Sequence, residues 1–155
     1  MPFFLAFAVV LIDQFTKALA VKKLIGSSIP IITDVFHFTY VENTGAAFGL
    51  YKSGNTVFII LTTIILVGVV VALFTMKHRN VTINISAGLI MGGAIGNLLD
   101  RIFRGHVVDF LDFRVINYPV FNIADSCVII GAIVIGVYFI FFENKKENDN
   151  SNANA

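Results

Sequence analysis

Two aspartates in the last third of the chain stand where polar strings meet long apolar segments. The string GHVVDF at 105–110 carries Asp109, and the string FNIADS at 121–126 carries Asp125. An ionisable side chain at membrane depth is costly, so such a residue is by default a candidate functional residue that needs a partner. Two carboxylates that share one proton provide the acid–base pair that aspartic proteases use. We therefore expect Asp109 and Asp125 to be partners in one site.

A second group of polar residues follows the glycine-rich string GLIMGGAIG at 88–96. Glycines four residues apart let a neighbouring helix approach closely in lipid, so the string predicts a helix-packing seam. It leads into Asn97, Asp100 and Arg101, whose spacings of three and four place them on one helix face. Arginine can form a bidentate pair with a carboxylate. Two roles for Asp100 are therefore equally compatible with the spacing, a structural salt bridge with Arg101 and a catalytic role.

Asn122 and Asp125 stand three residues apart where the last apolar segment begins. Asparagine is a favoured helix N-cap, and the helix dipole stabilises a carboxylate in the first turn. Capping therefore suffices for Asn122 and can suffice for Asp125, but it leaves Asp109 unexplained. We expect Asp112, which follows Asp109 in a polar segment, to be solvated.

Asp13 and Lys17 stand four residues apart, in the order that favours an ion pair on a helix. The pair lowers the cost of placing both charges in a membrane helix, and mutual neutralisation and contact with a substrate are equally compatible with this position. Three histidines without ligand spacing predict no zinc site. The single cysteine, Cys127, excludes an internal disulfide and a cysteine-rich metal site. Neither a metal nor a cofactor is expected.

The elements that must position these residues are membrane helices. The chain of 155 residues is 57% hydrophobic and only 14% charged, which is too apolar for a soluble domain of this length. Apolar runs of membrane-spanning length predict an all-α membrane protein, a single domain over 1–142 with four transmembrane helices at about 3–21, 56–76, 81–99 and 121–142. The first run has no basic leader and is interrupted by Asp13 and Lys17, which disfavours a cleaved signal peptide.

Between the first two helices, residues 26–55 predict a small β element at the membrane surface. Phe36, Phe38 and Tyr40 alternate with less apolar residues, as in a half-buried strand. The string Asn-Thr-Gly at 43–45 predicts a turn. The charged, Asn-rich tail at 143–155 is expected to be disordered.

With four spans, the two chain ends share one side of the membrane, and the segments 26–55 and 100–120 share the other. Lysines and arginines occur on both sides, so the positive-inside rule leaves the orientation open. A net charge of +1, without a basic patch interleaved with aromatic residues, predicts no nucleic-acid partner.

Five motifs occur in the order in which they occur in lipoprotein signal peptidases, the signal peptidase II family. They are DQFTK at 13–17, NTGAAFG at 43–49, GGAIGNLLDR at 92–101, VVDF at 107–110 and FNIADS at 121–126. With the four predicted helices, they make the chain resemble that family over positions 13 to 126. The resemblance implies an aspartic endopeptidase of the bacterial inner membrane, which cleaves prolipoproteins just before a diacylglyceryl-modified cysteine.

The resemblance also implies roles for individual residues. The aspartates of the family's VVD and N-x-A-D motifs form its catalytic dyad, which corresponds to Asp109 and Asp125 here. Other motif positions imply residues that support the site or bind substrate: Asp13, Lys17, Asn43, Gly45, Asn97, Asp100, Arg101 and Asn122. The family further implies cytoplasmic termini, a site near the outer leaflet, and membrane lipid and globomycin-like lipopeptide inhibitors as partners.

Two other classes of protein are compatible with intramembrane acids. A small proton- or ion-coupled transport protein would use them in a proton relay, and its acids are expected near the bilayer midplane in broken helices. In a non-catalytic assembly factor, the acids would be interchangeable with amides. The acids of this chain cluster at helix ends on one side, beside a folded loop, which favours the peptidase.

Overall fold

The computed structural model describes residues 1–45, 54–77, 79–116 and 118–143. These residues form helices α1 (Pro2–Leu24), α2 (Gly54–Thr75), α3 (Val81–Phe103) and α4 (Ile123–Tyr138), and strands β1 (Ser28–Ile32), β2 (Phe36–Asn43) and β3 (Val107–Phe113). A π-helical turn, Phe139–Glu143, continues α4. All four helices are long and apolar enough to cross a membrane. The predicted fold class, four membrane helices with a small β element, is confirmed. The AAFG part of the motif at 43–49 and the predicted tail from 144 onward lie outside the described residues.

Helix α3 is the central helix, and its glycines allow the other helices to approach it. A Cβ on Gly88 would lie 2.9 Å from the carbonyl oxygen of Pro2, and a Cβ on Gly92 would lie 2.6 Å from the Cβ of Val9. These contacts leave no room for a side chain between α3 and α1. The glycine string therefore is the packing seam that the sequence predicts.

The three strands form one antiparallel sheet in the order β1-β2-β3. The predicted strand around Phe36 is β2, and β1 also lies within the β element predicted at 26–55, whereas β3 was not predicted. Strand β3 shows no alternation because residues 107–110 are buried on both faces. Val108 and Phe110 pack on Ala20 and Leu24 of α1, so the sheet is attached to the end of that helix.

Two helices extend beyond their apolar runs. Helix α1 reaches Leu24 rather than residue 21, and α3 reaches Phe103 rather than residue 99. The last turn of α3 contains Asp100, whose side chain is buried and paired with cations on α1 and α3. A prediction from hydropathy ends the helix at such a charged residue, although the helical backbone continues past it.

Candidate active site

Helix α4 begins with a capping box that fixes Asp125. The Asn122 Oδ1 accepts a hydrogen bond from the backbone N–H of Asp125 at 2.9 Å, and the Asp125 Oδ2 accepts one from the backbone N–H of Asn122 at 3.3 Å. The predicted N-cap is therefore confirmed. The other oxygen of Asp125, Oδ1, accepts from Asn97 Nδ2 at 2.7 Å.

Asp109 belongs to the same site, and strand β3 of the sheet positions it there. Successive side chains of a strand point to opposite faces, so Asp109 points away from the surface on which Val108 and Phe110 pack against α1. Its Oδ1 accepts from Asn122 Nδ2 at 2.6 Å, and its Oδ2 accepts from Asn43 Nδ2 at 2.9 Å. Asn122 thus binds Asp109 through its side chain and Asp125 through its backbone, which brings the two aspartates together.

The environment of Asp109 favours its protonated form. The side chain is 1% exposed, so the structure buries a residue that the sequence places where an apolar segment meets water. Burial raises the pKa of Asp109 to about 6, and the negative charge of Asp125 acts in the same direction, against the opposing hydrogen bonds from Asn43 and Asn122. Asp109 therefore keeps its proton to a higher pH than an exposed aspartate does.

A buried charged cluster lies beside the aspartates, between α1 and α3. Lys17, Asp13 and Asp100 are 0 to 1% exposed. The Lys17 Nζ lies 2.9 Å from Asp13 Oδ2, which is the ion pair expected from their spacing, and 3.1 Å from Asp100 Oδ2. The same ammonium donates to Asn97 Oδ1 at 2.8 Å. The cluster is thus connected to Asp125 through a single side chain.

Asp100 forms structural salt bridges, one of the two roles left open by the sequence, but its partners are Lys17 and Arg104 rather than Arg101. Consecutive residues on a helix point about 100° apart, and Asp100 faces Lys17, with Arg104 Nε 3.2 Å from its Oδ1. Arg101 turns toward α2, where its guanidinium carbon lies 4.9 Å from the ring centroid of Phe58. Among the described residues, Arg101 forms no salt bridge.

Asp112 is half-buried and paired, rather than free in solvent as expected. Its Oδ2 accepts from Thr39 Oγ1 at 2.8 Å and from Arg114 Nε at 3.0 Å. Partial burial raises the pKa of Asp112, but the hydrogen bonds and the positive charge of Arg114 outweigh it and hold that pKa below its usual range. Asp112 is a structural residue of the sheet.

A cavity of about 390 Å³ opens between α2, α3 and α4 beside Asp125. Asn43, Asn97, Arg101 and Asp125 line it, and most of the remaining wall consists of apolar side chains of the three helices and of the segment 118–121 that precedes α4. Asn43 lines the cavity and donates to Asp109 behind it. A peptide that entered the cavity would therefore meet Asp125 directly and Asp109 at the position of the Asn43 side chain.

The comparisons with known proteins agree with this geometry. The family model described as signal peptidase (SPase) II matches residues 5–141. The chain belongs to the signal peptidase II family. The resemblance seen in the five motifs is confirmed, as is the predicted class of membrane aspartic endopeptidase, and no comparison supports a transport protein.

Relatives of this signal peptidase II match almost their whole length. A lipoprotein signal peptidase of Halothermothrix orenii is 45% identical over 89% of this chain and 94% of its own. One of Caldanaerobacter subterraneus is 48% identical over 86% of this chain and 91% of its own. A solved bacterial membrane enzyme is 35% identical, covers 91% of this chain and 93% of its own, and superposes with a TM-score of 0.84.

The predicted site residues of the peptidase fall into two groups. Around the aspartates and the buried cluster the structure brings together Asp13, Lys17, Asn43, Asn97, Asp100 and Asn122. Gly45 and Arg101 both contact the Phe58 ring, Gly45 with a φ of 75° and too closely for a Cβ, while Arg101 also lines the cavity with Asp125. Sequence reasoning missed Phe58, because an aromatic residue in an apolar helix gives no signal that separates it from a lipid-facing residue.

Proposed function

We propose that this protease removes signal peptides from prolipoproteins by cutting just before a diacylglyceryl-modified cysteine. The observation that carries the proposal is the pair of aspartates, Asp109 and Asp125, held by Asn122 beside a cavity between membrane helices. The relatives named lipoprotein signal peptidase support the class of substrate. Acyl chains on the cysteine would stay in the bilayer while the peptide enters the cavity.

In the proposed reaction, Asp109 begins protonated and Asp125 begins ionised. Asp125 removes a proton from a water molecule, whose oxygen attacks the scissile carbonyl carbon, while Asp109 donates its proton to the carbonyl oxygen. The tetrahedral intermediate then collapses: the C–N bond breaks, the proton held by Asp125 passes to the leaving nitrogen, and one hydroxyl proton of the intermediate returns to Asp109 as the product carboxyl forms. Substrate binding has to displace the Asn43 side chain, which covers Asp109 on the cavity side.

The other polar residues would support this reaction. Asn97 and Asn122 donate to the aspartates, and Lys17, Asp13 and Asp100 form the neutralising cluster behind them. The guanidinium of Arg101 lies on the cavity lining and forms no salt bridge with the residues that the structure describes, so it is suited to bind a peptide carbonyl or the negative charge that develops on it. Gly45 leaves room for the Phe58 ring beneath that guanidinium.

The proposed location is the bacterial inner membrane, with both termini in the cytoplasm. Four spans put the chain ends on the side opposite the sheet, so this orientation places the sheet and the aspartates at the outer leaflet, where lipid-modified precursors would reach them. Membrane lipid and globomycin-like lipopeptides are proposed partners at the cavity, because a lipopeptide combines the two features of the substrate, a peptide and an acyl chain.

The experiment that tests the proposal compares one precursor with and without its diacylglyceryl group. Purified protein in detergent is incubated with each, and the products are identified by mass. Each buried methylene contributes about 0.8 kcal/mol to partitioning, so cleavage before the lipidated cysteine should be fast and cleavage of the unlipidated form negligible. An Asp125→Asn protein serves as the inactive control. Equal rates on both precursors would remove the lipid from the mechanism.

A further inference from the structure

The two asparagines that donate to Asp109 have their amide oxygens held by backbone N–H groups. Asn122 Oδ1 accepts from the N–H of Asp125, and Asn43 Oδ1 accepts from the N–H of Gly45, each at 2.9 Å. Because an amide carries its acceptor and its donors on opposite sides, holding the oxygen directs the NH2 group toward Asp109. The backbone alone fixes these two orientations.

The asparagine beside Asp125 is held by a charged side chain instead. Asn97 Oδ1 lies 2.8 Å from the ammonium of Lys17 and Asn97 Nδ2 lies 2.7 Å from Asp125 Oδ1. The reversed amide would place an NH2 group against an ammonium, which has no acceptor, and an oxygen against a carboxylate. Asn122 Nδ2 also approaches Asn97 Oδ1, at 3.1 Å, but lies closer to Asp109, at 2.6 Å.

We propose that Lys17 is a positioning residue that acts on Asp125 through Asn97. Its ammonium fixes the Asn97 amide so that Asp125 always accepts a hydrogen bond from Nδ2 and enters the reaction ionised. The inference rests on the proposed function of Asp125 as the general base. Lys17 has three N–H donors, and three acceptors surround it: Asp13 at 2.9 Å, Asp100 at 3.1 Å and Asn97 at 2.8 Å. The contacts with Asp13 and Asp100 neutralise charge, and the contact with Asn97 positions its amide.

The electrostatic surroundings of Asp125 define a suitable readout. The charged groups that interact with Asp125 are Arg101 on α3 and Asp109 on β3. Lys17 and Asp13 on α1 and Asp100 on α3 form the cluster on the other side of Asn97. The acid limb of kcat/KM against pH reports the ionisation of the base in the free enzyme. A hydrogen bond to the ionised form contributes about one pH unit to that midpoint. A merely structural role would change the amount of folded protein without moving the midpoint.

The test compares the wild type with the double variant Asp13→Asn/Lys17→Met, using a lipidated precursor. The double variant removes the contact between Lys17 and Asn97, and it removes one positive and one negative charge together, so the cluster keeps the net charge that it has in the wild type. Asp13→Asn alone keeps that contact and controls for the loss of the Asp13 carboxylate. We expect the acid-limb midpoint of the double variant to lie about one pH unit above that of the wild type.

Superimposable acid limbs from folded samples of the wild type and the double variant would overturn the positioning role, whatever the difference in maximal rate. An Asp13→Asn sample with the acid limb of the double variant would overturn it as well, because that single variant keeps the contact between Lys17 and Asn97. If the proposed function is wrong and Asp125 is not the base, the Asp125→Asn variant would retain turnover. The acid limb in the Lys17 comparison would then no longer report the ionisation of Asp125. The two failures are therefore distinguishable.

Discussion

Replacing Asp109 by asparagine should alter how the stability of the protein depends on pH. In the folded protein, burial raises the pKa of this carboxyl from 3.8 to about 6. The folded state therefore binds the proton more tightly than the unfolded chain does. The stabilisation contributed by the protonated form is fully present below about pH 4 and is lost as pH rises through about 6. One pKa unit corresponds to about 1.4 kcal/mol, so the wild type should lose on the order of 3 kcal/mol at Asp109 over this range.

The Asp109→Asn variant cannot lose that stabilisation, because its amide does not titrate. The difference in free energy of unfolding between the variant and the wild type should therefore shift by on the order of 3 kcal/mol in favour of the variant between pH 4 and pH 7.5. The amide can accept from only one of Asn43 and Asn122, which costs about 1 kcal/mol at every pH. The lost hydrogen bond sets the part of the difference in free energy of unfolding that does not depend on pH, and the titration of Asp109 sets how that difference changes with pH. Denaturant unfolding in detergent micelles at several pH values measures both.

A matched substitution at Asp112 controls this measurement. Asp112→Asn should give the opposite slope, because hydrogen bonds from Thr39 and Arg114 hold the pKa of Asp112 below its usual range. Its contribution is present at neutral pH and is lost as pH falls. Asp34→Asn, in the exposed turn between β1 and β2 with a φ of 61° that asparagine also tolerates, makes the same chemical change away from the aspartate pair and serves as the control for activity. A flat difference for Asp109→Asn would refute the assignment of a raised pKa to this residue.

Three further outcomes are expected. On a lipidated precursor, kcat/KM should fall as pH rises through about 6, the value to which burial raises the pKa of Asp109, because the general acid loses its proton; a constant value from pH 5 to 8 would contradict this role. Cys127→Ala should retain turnover and thiol-blocking reagents should not inhibit, whereas an inactive, well-folded variant would reopen a cysteine mechanism. Gly93→Ala should destabilise the protein by about 1–3 kcal/mol, because its Cβ would press on the carbonyl of Ala124, while Gly68→Ala, which faces open space, should not; equal melting temperatures would contradict the packing.

Features that depend on short-range spacing could be predicted from the sequence. The i, i+4 spacing gives the ion pair between Asp13 and Lys17, and the three-residue spacing gives the capping box of Asn122 with Asp125. The apolar runs give the four helices, because the length of a membrane span constrains each one separately. None of these features requires knowledge of which elements touch.

Features that depend on packing between distant elements could not be predicted. Asp100 has two candidate cations close to it in sequence, Arg101 and Arg104, yet its buried partner is Lys17, more than eighty positions away. The strand that carries Asp109 was missed because both of its faces are buried, which removes the alternation that identifies a strand. In both cases, the contact that determines the structure is made by a residue on another helix or strand.

The most direct test of the two-aspartate mechanism is the initial rate of cleavage of a lipidated precursor, normalised to folded protein in detergent. Asp109→Asn and Asp125→Asn should each lower that rate by about 10²–10⁴-fold. The double variant should be scarcely slower than either single one, because groups that act as a unit are not additive. Asp34→Asn should remain near full activity, and Asp100→Asn, which breaks the pairing with Lys17, should lose stability while its folded fraction keeps residual turnover. Substantial turnover by Asp109→Asn, together with a fully stable but inactive Asp100→Asn, would contradict the account and move the catalytic role to Asp100.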